Sequence, residues 1–513
     1  MAELLALKVL LPALLGGAIV SMLIERLLTP TPSLQRPAAT WMLHFGMWLL
    51  AFAFELSLFQ RPWFAAAFVL VFLLFVVLVS NAKFKALREP FIFSDFEYFT
   101  DALRHPRLYI AFLGWWRAVL AVAGFGAAVY LGLMFEAPLL RAVWVPGALL
   151  IAALGLALIA IGALQLGAAN YNPIDDLQRL GLIGSLWRYM ADERKPIDRA
   201  LIETTFASAS SPPHALANIV VVQSESFFDA RRVFSGIDRQ VLANWDALQK
   251  NAAQYGRLKV AAWGANTVRT EFSFLSGLAI KSLGVHQFNP YRKLARELAQ
   301  QGIATLASHL RKLGYRTVCV HPYPASFYNR HIVFPQLGFD EFIDIKSFDG
   351  AVTARPASGP YIGDVAVAKK ITALLDATDK PLFVFAITME NHGPLHWETL
   401  SDAERQSHFT AAPPAGCDDL AVYLRHLANA DKMFAILREK LAALPSPAWL
   451  CVYGDHVPIM SGVYAALGEP DGDTEYVLWK NRGAAPAVNC DLGIEALAAA
   501  LLENIDGAQA SAR

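Results

Sequence analysis

Two patterns of apolar positions divide the chain. Uncharged apolar runs cover residues 9–24, 41–54, 62–79, 118–135 and 143–169. Each run, with its flanks, is long enough to cross a hydrocarbon layer of about 30 Å as a helix of roughly 20 residues, so five membrane spans are expected. Glu25 and Arg26 follow the first run without a small-residue cleavage pattern, and four more runs come after it, which argues against a removable signal peptide. Glu55 and Arg117 fall near span ends, where long side chains extend their charge toward water. Residues 91–98 read FIFSDFEY, aromatics and acids interleaved as in a segment lying among lipid headgroups. A surface helix anchoring the bundle is favoured there over a direct lipid-facing role.

Beyond residue 170 the pattern changes. A polar connector ends in the Ser/Pro-rich SASSPPHA, and short β-branched runs then begin at 218–223, 315–320, 382–387 and 449–453. Helical stretches such as 305–313 and 420–441 separate them. Short, wholly apolar strands alternating with helices are the mark of a parallel α/β sheet, which gathers ligands at the carboxyl ends of its strands. The expected organisation is a transmembrane bundle over 1–170, a linker over 171–216 and an α/β domain over 217–513.

Composition and charge narrow the classes. Hydrophobic residues make up 55% of the 513 and charged residues 17%, which excludes a disordered chain and makes a membrane protein the default. Residues 1–170 carry 11 Lys and Arg against 8 Asp and Glu, and the other 343 carry 33 against 36, so no basic footprint for nucleic acid exists. All four cysteines lie in the polar part without CxxC spacing, which disfavours a cysteine zinc site. Cys319 and Cys451 fall in strand-like runs as buried thiols, while Cys417 and Cys490 are free to pair in an oxidising compartment.

Candidate chemistry collects at strand ends. The first strand runs into Ser224, Glu225 and Ser226, and the last, WLCVY, runs into Gly454, Asp455 and His456, which puts two carboxylates and an imidazole at one sheet edge. Between them, WGANTVRTEFSFLSGL delivers Asn266 and Thr267 to the start of a helix, where the dipole and free amides favour an alkoxide and an incoming phosphate. A plain helix cap at Thr267, with Glu271 as a first-turn acid, is the competing explanation. HPYPASFYNR places His321, Tyr328 and Arg330 after another strand, and ITMENHGP places His392 after a further one.

ESFFD, NTVRTE, FYNR, ENHGP and YGDH, in this order after the membrane spans, resemble the lipoteichoic acid synthase family of the alkaline phosphatase and sulfatase superfamily. The resemblance covers nearly the whole chain and implies a membrane bundle followed by a sulfatase-like domain. It implies one divalent metal, Mn²⁺ first and Zn²⁺ or Mg²⁺ as alternatives, held by Glu225, Thr267, Asp455 and His456, with Thr267 also attacking phosphorus. A cation on that hydroxyl lowers its pKa and neutralises phosphoryl charge. His321, Tyr328 and Arg330 would hold the phosphoglycerol group, Arg330 as a bidentate phosphate clamp. His392 would bond the transferred group or act as acid or base. Tyr328 stands where the family usually has tryptophan, and Tyr323 where it has a small polar or acidic residue, which leaves head group and acceptor open. NTVRTE lacks the CxPxR-type nucleophile of sulfatases, so sulfate-ester chemistry is disfavoured.

The resemblance implies a phosphoglycerol transferase of the bacterial plasma (inner) membrane. Glycerol phosphate would pass from phosphatidylglycerol through Thr267 to an envelope glycan or polyglycerol phosphate. A phosphoethanolamine transferase or a phosphodiester hydrolase of the same fold is the alternative, and a metal-free membrane scaffold is the non-enzymatic one. A lipid donor in the outer leaflet requires the catalytic domain on the periplasmic or extracellular side. Lys83, Lys85, Arg88, Arg104 and Arg107 would then lie outside, against the positive-inside tendency, and Glu89, Asp95, Glu97 and Asp101 are interleaved with them.

Overall fold

The computed structural model describes residues 2–97, 115–195, 206, 216–302, 304–348, 359–483 and 486–510. They fall into two units, Met1–Pro196 and Ile197–Arg513. The expected SASSPPHA linker end, Tyr98, Asp101, Arg104, Arg107 and the side chain of Arg117 lie outside the described residues.

The first unit is helical: α1 (Ala2–Glu25), α2 (Ala38–Phe59), α3 (Pro62–Leu87), α4 (Trp115–Phe135), α5 (Arg141–Gln165) and α6 (Pro173–Glu193). Among the described residues, Leu7–Glu25, α2, α3 and α5 are long and apolar enough to cross a membrane. The remaining expected run, 118–135, falls in α4. Small residues let α2 and α5 approach closely: a Cβ on Gly46 would lie 2.9 Å from the Gly155 carbonyl oxygen. Where the chain turns between α1 and α2, Arg36 forms a buried two-pronged pair with Glu25 (3.1 and 2.6 Å), and the same carboxylate accepts Leu182 N–H at 2.9 Å.

Three expectations meet a different environment. Glu55, expected to extend toward water, is buried in α2 with Oε2 unpartnered, because its position on the helix faces the packed bundle. The start of FIFSDFEY turns inward while Phe96 stays exposed: Phe91 and Ile92 are buried, and Asp95 accepts Ile92 N–H at 2.8 Å and pairs with Lys83 at 2.6 Å. The polar stretch after residue 170 contains α6, whose start is capped by Asn172 and fixed by Asp176, a fully buried acceptor for the Tyr171 N–H and the Tyr189 hydroxyl.

The second unit is built on a sheet of nine strands among the described residues: β1 (Asn218–Ser224), β2 (Gln254–Lys259), β3 (Arg316–Val320), β4 (Glu341–Ile343), β5 (Leu382–Ile387), β6 (Ala448–Gly454), β7 (Thr474–Lys480), β8 (Val488–Asn489) and β9 (Leu492–Gly493). Their order is β4-β3-β5-β1-β6-β7-β2-β8, with β9 beside β2. Strands β4, β3, β5, β1 and β6 are parallel, while β7 runs antiparallel to β6 and β2 antiparallel to β7. Alternate residues serve two cores. Val220, Val222, Val384 and Leu450 face α9 (Asp364–Asp376) and α10 (Asp418–Ala442), while Ile219, Val221, Phe383 and Phe385 join α7 (Thr267–Ser276) and α11 (Ile494–Ala510). Burial on both faces is why these strands are apolar throughout instead of alternating. Cys319 and Cys451 are buried in β3 and β6, and all four cysteines are free, so the pairing considered for Cys417 and Cys490 is not formed.

Candidate active site

Sheet register builds the centre of the site. Ser224 at the end of β1 pairs with Gly454 at the end of β6, so Glu225 and Asp455 leave adjacent strands side by side. Gly454 is required there, since a Cβ would sit 1.8 Å from the Phe227 carbonyl oxygen. Asp455 Oδ1 accepts two backbone N–H groups, Ser226 at 2.8 Å and His456 at 3.0 Å. Oδ2, fully buried, has no hydrogen-bond partner. His456 Nδ1 lies 3.1 Å from the Val457 carbonyl oxygen, which assigns its proton and leaves Nε2 as a lone pair. That lone pair faces Asp455 Oδ2 at 3.4 Å, Glu225 Oε1 at 3.6 Å and Thr267 Oγ1 at 3.5 Å.

Glu225 Oε1 accepts the Ser226 hydroxyl at 2.8 Å, whereas Asp455 Oδ2 faces the His456 Nε2 lone pair with no donor between them, which fits a cation. The ligand atoms of Glu225, Asp455 and His456 all lie within 4.8 Å of one another. Burial, then the Asp455 carboxylate, pushes Glu225 up to about 8. Two carboxylates, an imidazole and a hydroxyl suit a divalent metal such as Mn²⁺, Zn²⁺ or Mg²⁺.

Thr267 is the first residue of α7. Asn266 holds the cap position in a left-handed conformation (φ 66°) without a side-chain bond to the helix. The cap alternative for Thr267 therefore gives way: its hydroxyl belongs to the cluster, near the positive end of α7. Thr270, one turn on, donates its hydroxyl to the Asp455 carbonyl at 2.9 Å and ties α7 to the end of β6.

Glu225, Thr267, His321, Tyr328, Arg330, His392 and His456 line one cleft of about 30 Å³, enough for an ion-sized guest, and Asp455 lies buried beside them. Tyr328 and Asn329 both take left-handed backbone (φ 54°) immediately before α8 (Arg330–Gln336). With Ser226 and Asn266 they are four of the seven non-glycine residues at positive φ among the described residues. Strain of this kind concentrates where function over-determines the backbone.

Arg330 is not a free clamp. Its Nε and Nη2 donate to Glu271 Oε1 and Oε2 at 3.1 and 2.9 Å, and its Nη1 donates to His321 Nε2 at 3.2 Å. His321 Nδ1 donates to the Ile387 carbonyl at 3.1 Å, and burial with Arg330 alongside keeps the ring neutral, well below its ordinary pKa. Both of its nitrogens are thus occupied. The Tyr328 ring packs 5.2 Å from the Arg330 guanidinium carbon. His392 Nδ1 is fixed by the Gly393 carbonyl at 2.8 Å, burial lowers its pKa, and Nε2 remains an acceptor. Two partners were not anticipated. Glu271 lies in the second turn of α7, fully buried, instead of acting as a first-turn acid, and the Tyr361 hydroxyl donates to the Gly393 carbonyl at 3.2 Å behind His392. The one sequence signal for Glu271 was its spacing, four residues and so one turn beyond Thr267.

A parallel sheet with a threonine, two carboxylates and an imidazole at one edge defines a domain of the alkaline phosphatase and sulfatase kind. Residues 217–506 match the family model described as Sulfatase, and the chain belongs to the sulfatase family. It is 30% identical over 479 residues to the capsular polysaccharide biosynthesis protein RkpI of Rhizobium meliloti, covering 85% of this chain and 81% of that protein. Lipoteichoic acid synthase 1 of Bacillus subtilis is more distant, 25% identical over 160 residues, 31% of this chain and 24% of that protein. The integral membrane lipooligosaccharide phosphoethanolamine transferase A from Neisseria meningitidis shares the fold over 95% of both chains, with a TM-score of 0.54 at 14% identity.

Proposed function

We propose that this chain is a membrane-anchored, Mn²⁺-dependent phosphoglycerol transferase acting on phosphatidylglycerol. The observation that carries the reading is the placement of Thr267 Oγ1 at the start of α7, 3.5 Å from the His456 nitrogen that faces both carboxylates. When bound, the metal supplies Lewis-acid stabilisation of phosphoryl charge and a lowered hydroxyl pKa. Thr267 Oγ gives up its proton and bonds to phosphorus, and the phosphorus–oxygen bond to diacylglycerol breaks, the leaving oxygen taking a proton. An acceptor hydroxyl then attacks phosphorus, His392 Nε2 takes its proton, and the Thr267 ester breaks, the Thr267 oxygen taking up a proton and His392 returning to its neutral form. The N–H groups that Arg330 keeps beyond Glu271 and His321 hold a non-bridging oxygen, Tyr328 walls the guanidinium, and His321 positions Arg330 without touching the group.

The acceptor in this reading is an envelope glycan, in keeping with the capsular polysaccharide relative, or polyglycerol phosphate. The chain sits in a bacterial plasma (inner) membrane with its catalytic domain on the periplasmic or extracellular side, where the donor lipid is exposed. Lys83, in the last turns of α3, pairs with Glu89 and Asp95, but the positive-inside tendency counts Lys and Arg, so the conflict with that orientation stands.

Thr267→Ala should abolish diacylglycerol release from labelled phosphatidylglycerol, and full activity in that variant would reject the nucleophile. The full-chain fold shared with a phosphoethanolamine transferase supports that donor as the second reading. Mass spectrometry of the Thr267 adduct separates the two, because the two head groups add different masses.

A further inference from the structure

Behind the cleft, Glu271 is a carboxylate with every acceptor position filled. Oε1 takes Arg330 Nε and the Tyr291 hydroxyl, and Oε2 takes Arg330 Nη2 and, at 3.3 Å, Gln223 Nε2. Gln223 is in turn fixed by the Tyr453 hydroxyl at 2.7 Å. Glu271 is fully buried and Arg330 1% exposed, so water screens neither charge. His321 and His392 add no charge, being held by carbonyls and lowered by burial. With a divalent cation against Glu225 and Asp455, and Glu271 against Arg330, the formal charge of the cleft sums to zero.

We infer that Glu271 is a specificity-determining positioning residue: it cancels the Arg330 charge and fixes the direction of the guanidinium, tuning the cleft to a phosphodiester monoanion over a phosphomonoester dianion. The inference rests on the transfer reading above and deepens it. A diester brings one negative charge into a neutral, water-poor cleft. A monoester at neutral pH brings nearly two, doubling the charge that the neutral cleft must accept without a compensating cation. A phosphatidyl lipid and a phosphoglycerol-substituted glycan are both diesters, so donor and product share the favoured charge.

The test uses the full-length chain in detergent with Mn²⁺, comparing kcat/KM for bis(4-nitrophenyl) phosphate with that for 4-nitrophenyl phosphate. Glu271→Gln should lower the diester-to-monoester ratio at least tenfold, through a fall in KM for the monoester. Glu271→Asp, which keeps the charge, should retain the wild-type ratio even where both rates drop. An unchanged ratio in Glu271→Gln overturns the inference, since a purely structural role would lower both activities together. Thr267→Ala is run alongside. Diester cleavage that depends on Thr267 with an unchanged ratio sinks this inference alone, whereas cleavage indifferent to Thr267 sinks the transfer reading and this one with it. Should Glu271→Gln fail to fold, inhibition of the wild type at pH 8 decides. Dimethyl phosphate should inhibit at least as tightly as methyl phosphate, and methyl phosphate binding more than tenfold tighter overturns the inference.

Discussion

Asp455→Asn separates a metal ligand from an ordinary structural carboxylate. The amide oxygen of asparagine can keep both backbone bonds of Oδ1, from Ser226 and His456, while its nitrogen replaces the unpartnered Oδ2. Shape is nearly conserved and one buried charge is lost. Two carboxylates with oxygens no more than 4.8 Å apart repel by about 3 kcal/mol at an effective dielectric constant near 20. Without metal, the variant should therefore be at least as stable as the parent. The gain runs from zero, where Glu225 carries a proton, to about 3 kcal/mol, where both groups are ionised. With Mn²⁺ at a hundred times its Kd, the parent should gain about 2.7 kcal/mol and the variant almost nothing. At roughly 2 °C per kcal/mol for a domain of this size, calorimetry should show the parent's transition rising by about 5 °C over its value in EDTA. A variant that is destabilised in EDTA by about 2 kcal/mol and still rises with Mn²⁺ like the parent would refute the reasoning. Oδ2 would then be satisfied within the protein and the cluster would not be a cation site.

Two further predictions concern stability. Gly454→Ala places a methyl group 1.8 Å from the Phe227 carbonyl oxygen, so chemical denaturation should show a loss of about 3 kcal/mol or more, together with the Mn²⁺ response, because β1 and β6 can no longer close up. Burial pushes Glu475 up to about 7, with Arg232 offsetting only part of the effect. Its folded-state value lies above the ordinary 4.5, so the folded protein binds the extra proton and stability falls as pH rises from about 4.5 to 7, by at most about 3 kcal/mol. Glu475→Gln should flatten that part of a denaturation-versus-pH profile, and an unaltered slope would contradict the assignment.

The α/β architecture was legible because its signal is local. Runs such as NIVVVQ and WLCVY are apolar on both faces, and their ends mark the ligand edge without any knowledge of pairing. The register that aligns Ser224 with Gly454 was not legible, nor was the antiparallel extension through β7 and β2, since pairing depends on contacts far apart in sequence. Thr267 was readable as a helix-start hydroxyl, but Asn266, in left-handed backbone, takes the cap position that Thr267 itself might have filled. Glu271 entered only the competing explanation, as a first-turn acid, because an acid near a helix start is ordinarily a dipole partner and its real neighbours, Arg330 and Tyr291, are remote in the chain. Glu55 was misread for the same kind of reason: position along a span reveals depth, whereas the face it occupies depends on neighbouring helices.

Ser226 and Asp455 touch although they lie 229 positions apart in the chain. A nascent chain that has passed β1, α7 and β5 carries Glu225, Thr267 and His392, but Asp455 and His456 follow only with β6. Under the proposed reading, half of the candidate ligand set is made last, so metal capture and attack on a lipid would both wait for that strand.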